Sequence, residues 1–114
     1  MSKKIFNYFP HPVFKYKLED YSNHNKKLEK YIEELQKEDP KGQKKSNVGG
    51  WHSQFFDLKD QTGVAYKFLL ALQPYVIDVF KSYGWKYNAN KVFYSGMWAI
   101  KNKKGDSNNE HIHP

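Results

Sequence analysis

Among the side chains of this 114-residue chain, the five histidines are best suited to bond chemistry, and two of them, His111 and His113, stand two residues apart. In an extended segment alternate residues share a face, so both imidazoles point one way and Ile112 the other. Two neutral imidazoles side by side are a natural ligand pair for a divalent transition metal. The helical alternative, two histidines four apart as in H-E-x-x-H, does not occur. With no cysteine in the chain, thiolate metal sites, disulfides and cysteine nucleophiles are excluded. An H-x-H pair also has an ordinary reading, a solvated segment that binds nothing, and spacing alone does not choose between the two. The other histidines read as structural. His11 lies between two prolines in an exposed turn. His24 sits in the first turn of a helix, where the dipole disfavours a cation. His52 reads as a hydrogen-bonded structural residue, with a place at the mouth of the site as the alternative.

A strand and a tight turn must position the pair. The run from Asn90 to Lys101 is β-prone, and a turn over Asn102-Lys103-Lys104-Gly105-Asp106 follows, with Asp106 and Asn108 as its capping residues. Upstream, Ser46-Asn47-Val48-Gly49-Gly50-Trp51-His52-Ser53 places a glycine pair beside a tryptophan, the mark of a tight turn bringing backbone close to something else. Two amphipathic helices are expected. The first starts at Asp20 or Ser22 and runs through about Glu38, with Leu28, Tyr31, Ile32 and Leu35 as its apolar stripe. The second spans about Thr62 to Tyr83 with the stripe Val64, Phe68, Leu72, Tyr75, Val76, Val79 and Tyr83. It ends at Gly84 and is kinked or broken near Gln73 by Pro74. Near the start, Ile5 to Phe9 and the alternating Val13 to Leu18 read as a strand pair or one bent edge strand, with Phe14, Tyr16 and Leu18 on one face. The fold class is therefore α+β, one domain with both helices covering a sheet, and Trp51 and Trp98 in its core or wall.

Composition narrows the partners. At 18% aromatic residues the chain is not disordered, although its mean hydropathy is −0.92 and 27% of it is charged. The core is expected to be built from rings more than from aliphatic side chains. The net charge of +7 raises a nucleic-acid partner. All nineteen basic residues are lysine, however, and lysine lacks the bidentate fork that reads phosphate and guanine. The lysines are scattered along the chain, so the expectation is a solvated surface, with nucleic acid disfavoured. Met1-Ser2-Lys3-Lys4 has no apolar core of a signal peptide and no run reaches the roughly 20 apolar residues of a membrane span. The chain reads as a cytoplasmic protein, in the host cytoplasm if viral, with no membrane partner.

Three blocks together go further. Phe9-Pro10-His11-Pro12-Val13, then Ser46-Asn47-Val48-Gly49-Gly50-Trp51-His52-Ser53, then Trp98-Ala99-Ile100-Lys101 followed by Gly105-Asp106-Ser107-Asn108-Asn109-Glu110-His111-Ile112-His113-Pro114, stand in order along the chain. Their sequence and spacing resemble a family of Fe(II)- and 2-oxoglutarate-dependent oxygenases common in bacteria and phages and distantly similar to prolyl hydroxylases. The resemblance covers the whole chain, and its last block is the most specific. It implies a double-stranded β-helix, a jelly roll of two sheets with helices packed on one of them, and a mononuclear Fe(II) at the barrel mouth. The family's usual ligands are an H-x-D pair on one strand and a distal histidine later on. By this match His111 is the first ligand. His113 falls where the related enzymes carry a carboxylate, which leaves a three-histidine site, or a His113 that supports the ligands from behind.

The same resemblance implies Fe(II) as cofactor and 2-oxoglutarate as co-substrate. Oxidative decarboxylation of the latter drives hydroxylation of a C–H bond on a small molecule or protein side chain. Two parts of that apparatus, the distal histidine and the Arg or Lys that pairs with 2-oxoglutarate, are expected on strands beyond Pro114. A jelly roll has about eight strands, more than can be found here. Residues 1–114 therefore read as the N-terminal portion of one such domain, binding metal weakly, turning nothing over alone, and completed by a C-terminal half or by a homo-oligomer. The alternatives are a small basic nucleic-acid-binding module and a structural protein of a phage particle in which the H-x-H pair is accidental.

Overall fold

The computed structural model describes residues 11–113 of the chain. The strand expected over Ile5 to Phe9 lies outside the described residues. The described part is α+β: two helices, α1 (Tyr21–Glu38) and α2 (Val64–Tyr83), and four short strands, β1 (Asn47–Val48), β2 (Trp51–His52), β3 (Ile100–Lys101) and β4 (Ser107–Asn108). A single 3-10 turn, Ala89–Lys91, follows α2. No helix among the described residues is long and apolar enough to cross a membrane.

α1 forms where its stripe predicts. Asp20 opens it in a left-handed conformation (φ 55°), which a short polar side chain tolerates better than most. Its carboxylate accepts a hydrogen bond from the Asn23 amide at 3.1 Å and caps no backbone amide. The helix stops at Asp39, whose N–H donates to the Leu35 carbonyl at 3.0 Å, one residue before Pro40. The Trp51 indole then donates to the Asp39 carbonyl at 2.8 Å, which ties the end of α1 to β2.

The strands pair as two antiparallel two-stranded sheets, β1 with β4 and β2 with β3. Asn47 faces Asn108 and Val48 faces Ser107, while Trp51 faces Lys101 and His52 faces Ile100. Flanking hydrogen bonds join them into one ribbon: Asn109 N–H to Ser46 O at 2.5 Å, Ser53 N–H to Ala99 O at 2.9 Å and Phe56 N–H to Met97 O at 2.8 Å. Where the two sheets meet, Gly49 and Gly50 lie opposite the loop 102–106. Asp106 closes that loop through the Lys103 amide at 2.8 Å. Residue 53 faces 99 and residue 56 pairs with 97, so the first strand carries one extra residue. Such a bulge reverses the alternation. It places Phe56 with Trp51 and Ala99 in the core and leaves Phe55 on the opposite face with His52, Trp98 and Ile100.

α1 covers the first of these faces. Trp51, Phe56, Ala99 and Ala65 of α2 form the buried cluster, and Tyr31, Ile32 and Leu35 pack against it. Tyr31 meets Phe56 edge to face with ring centroids 5.1 Å apart. Burial, joined by the nearby carboxylates of Asp57, Asp60 and Glu38, pushes the Tyr31 hydroxyl above its ordinary pKa. Ser53, 1% exposed, is the most buried polar residue. Its hydroxyl accepts the Ala99 N–H at 2.9 Å and donates to the Gln54 carbonyl at 2.7 Å, standing in for a backbone ladder partner. Ser53→Ala leaves that amide unpaired in the interior. A loss of about 1–3 kcal/mol in urea unfolding is expected, together with faster hydrogen exchange at Ala99.

Three sequence expectations are corrected. Residues 13–18 form no strand. Phe14 and Tyr16 do share a side, but that side lies on α2, with Phe14 against Tyr83 and Tyr16 against Tyr75. The β-prone run 90–101 pairs only at its end, and its first part packs along α2, where the Tyr94 hydroxyl donates to the Leu69 carbonyl at 3.3 Å. Pro74 does not break α2, which is continuous from Val64 to Tyr83. The carbonyl that loses its partner to proline is that of Leu70, four residues earlier. Leu70 is among the exposed residues, so water can reach it. The residues of α2 that are fully buried, Ala65 and Leu69, lie beside the expected stripe. The helix is apolar on two sides because it packs against α1 through Phe68 and against segment 92–94 through Leu69.

Candidate metal centre

Of the three blocks singled out in the sequence, the first, 9–13, lies partly outside the described residues; the other two, 46–53 and 98–113, are the two strands of the ribbon, and the face that α1 leaves open is where His111 and His113 arrive. That face is a groove of about 520 Å³ whose lining includes His52, Phe55, Trp98, Ile100, His111 and His113. His52 forms its floor. The ring is 4% exposed, stacks on Trp98 with centroids 5.9 Å apart and planes 14° from parallel, and its Nδ1 lies 2.7 Å from the Ser53 carbonyl. Phe55 leans on the same indole at 5.5 Å.

After β4 the chain carries no regular structure, yet 111 and 113 line the same groove while Ile112 is 90% exposed. The alternation expected for an extended H-x-H segment is present. The two imidazoles are 5.0 Å apart between centroids, close enough for both to reach one ion. His111 Nδ1 is 2.9 Å from the Asn109 carbonyl. A carbonyl only accepts, so Nδ1 carries the proton and the Nε2 lone pair is left for a ligand bond. A ring nitrogen braced in this way against a backbone carbonyl is the usual support of a metal-binding histidine. The same logic fixes the His52 tautomer, with its proton on Nδ1.

These residues fit the nitrogen part of a metal site. Among the described residues no group of three or more His, Asp or Glu side chains is placed to hold an ion, so the ribbon offers two strong donors. The groove lining also carries two charged side chains, Lys45 beside Ser46 and Glu110 beside His111. Trp98, expected in the core or wall, is 40% exposed at the groove, whereas Trp51 is fully in the core. His11 is exposed, and His24 lines a cavity between the helices. Sequence reasoning missed Phe55 and Lys45. Phe55 reaches the groove through the bulge, which no local signal announces, and Lys45 looks like any other surface lysine until β1 is paired.

No protein-family model matches the chain, and no curated protein or solved structure does either.

Proposed function

We propose that this chain carries the first-ligand half of an Fe(II)- and 2-oxoglutarate-dependent oxygenase. The observation that supports this most directly is the convergence of His111 and His113 on one aromatic groove, with His111 braced by the Asn109 carbonyl. In this reading the ribbon is the first part of a double-stranded β-helix in a cytoplasmic enzyme. Later strands of the same chain, a second polypeptide or another copy supply the distal histidine and complete the barrel.

Bound iron would supply the activation of O2 that couples oxidative decarboxylation of 2-oxoglutarate to hydroxylation of a C–H bond. The chain's own residues do the rest. His111 and His113 hold the ion through ring nitrogens. Trp98, Phe55 and Ile100 give the space beside it an apolar wall, which would exclude water once the rest of the barrel covers the groove. Lys45 offers a charge-assisted partner for a carboxylate entering the groove. His52 holds the Trp98 ring in place by stacking against it.

Anaerobic titration of the chain with Fe(II), with and without 2-oxoglutarate, tests the reading. Saturable binding of one ion per chain is expected, weak alone and tightened by 2-oxoglutarate, which brings oxygen donors of its own. Absence of saturable binding, or an affinity indifferent to 2-oxoglutarate, would sink the proposal.

A further inference from the structure

At the end of α2 remote from its Gly63 start, aromatic side chains form a continuous stack outside the core. Tyr83 and Trp85 lie almost parallel, with centroids 4.6 Å apart and planes 13° from parallel. Phe80 meets both Trp85 and Tyr87 at 5.5 Å, and Phe14 meets Tyr83 at 5.5 Å. The turn at Gly84 makes this stack, since the Trp85 N–H donates back to the Phe80 carbonyl at 3.1 Å and folds the indole over the helix end. Rings of this size normally go inside. Here Trp85 is 55% exposed and Tyr83 43% exposed, so their faces stand in water.

Lysine outweighs acid in the sequence around the stack. From Val79 to Gly105 the chain holds six lysines and no Asp or Glu. Lys81 and Lys86 belong to that run, and Lys15 follows Phe14 on the segment packed against α2. In extended backbone Trp85 and Tyr87 share one side, as do Phe14 and Tyr16, so Lys86 and Lys15 project from the other side, next in sequence to the rings. One carboxylate, Asp78, stands at the edge of the patch, where it accepts the Tyr16 hydroxyl at 2.6 Å.

We propose that the Tyr83–Trp85 stack is a docking platform for single-stranded nucleic acid, with bases stacking on the rings and phosphates meeting Lys15, Lys81 and Lys86. Exposed aromatic faces inside a lysine frame are the two components of sequence-tolerant single-strand binding. Charge selects this occupant. A second copy of the chain would bring another +7 to a patch whose described residues include Lys15, Lys81 and Lys86 against the single carboxylate Asp78, and a duplex hides the base faces that the rings would use. The lack of arginine removes bidentate guanine recognition, so little base preference is expected. Residues 80–87 already interleave lysine and rings in the sequence, where a nucleic-acid-binding module was the alternative reading; the fold adds Phe14 to that group and stacks Tyr83 on Trp85. The platform shares no residue with the His111 groove.

The test is anisotropy of a short fluorescein-labelled oligothymidylate titrated with the full chain. Binding at low salt is expected, weakening steeply as salt rises. Trp85→Leu should weaken it about tenfold or more, Trp85→Phe should retain most of it, and the double variant Lys81→Gln, Lys86→Gln should flatten the salt dependence. Circular dichroism checks that each variant is folded, and His111→Ala should leave oligonucleotide binding unchanged. The proposal is overturned by no binding at low salt, by equal affinity for duplex, by preferential binding of phosphatidylserine vesicles, or by wild-type affinity in Trp85→Leu.

Discussion

Gly50→Ala is expected to cost about 3–4 kcal/mol of stability, as large an effect as any one-methyl change should have in this chain. Two contributions add. Gly50 has φ +66°, in the left-handed region where an L side chain costs roughly 1–2 kcal/mol. In addition, a Cβ there would collide with the Asn102 side-chain oxygen and lie 3.0 Å from the Lys101 carbonyl. The first neighbour can swing away, but the second is the backbone of β3, held by its pairing with Trp51. Gly84 supplies the control. Its φ of +69° is nearly the same, yet nothing lies within 4 Å of a Cβ built on it. Gly84→Ala should therefore show the backbone cost alone, and the difference between the two variants in urea unfolding isolates the contact with the loop 102–106. Equal losses would mean that the glycine pair is needed only for its backbone angles and that the ribbon tolerates a wider junction. Gly49→Ala belongs with Gly50, since its Cβ would run into the Asp106 carboxylate. Asp106 closes the turn that leads to His111, so strain here reaches the groove as well as the fold.

What the sequence made legible was local, and what it hid was pairing. The bounds of α1 and the stop of α2 at Gly84 followed from apolar spacing and one glycine, because those signals act within a few residues. The shared direction of His111 and His113 followed from the two-residue period of extended backbone. By contrast, the pairing of 46–53 with 97–109 joins segments some fifty positions apart, and no periodicity inside either segment announces it. The bulge before Phe56 shows the consequence. One extra residue puts Phe55 on the groove, and strict alternation from Trp51 and Ser53 would assign it to the core side. Residues 13–18 mislead for a related reason: their alternation is real, but the surface that receives Phe14 and Tyr16 is a helix. Pro74 does not break α2, because the carbonyl it frees lies on an exposed turn of the helix. The aromatic stack was hidden in the same way, since Phe14 and Tyr83 are nearly seventy residues apart in the sequence and meet only in the fold.

His111→Ala should abolish saturable Fe(II) binding, a loss of about a hundredfold or more in affinity, whereas His113→Asp should retain it. The asymmetry follows from how the two rings are held. His111 has its Nδ1 proton fixed by the Asn109 carbonyl, so its Nε2 is presented without a tautomeric cost, and loss even of supporting groups around a metal ligand typically costs about 10–100-fold. Removing the ligand itself should cost at least the upper end of that range. His113 stands 5.0 Å from His111 on the same groove, at the position where the enzymes this chain resembles carry a carboxylate. If His113 is a ligand, aspartate there supplies an oxygen in place of a nitrogen and restores the H-x-D pattern, so Fe(II) is still bound. His113→Ala, which supplies neither, should fall between wild type and His111→Ala. The three variants together separate the arrangements left open by the sequence. Loss in His111→Ala with full retention in both His113 variants would make His113 a supporting residue behind the metal. Unchanged binding in all three would mean that whatever ion the chain takes up is bound elsewhere, and that the imidazole pair is an exposed accident of an extended segment. Because both positions lie on the solvent side of the ribbon, away from the Trp51 cluster, none of these substitutions should alter unfolding, and changes in metal affinity can be read as changes at the site.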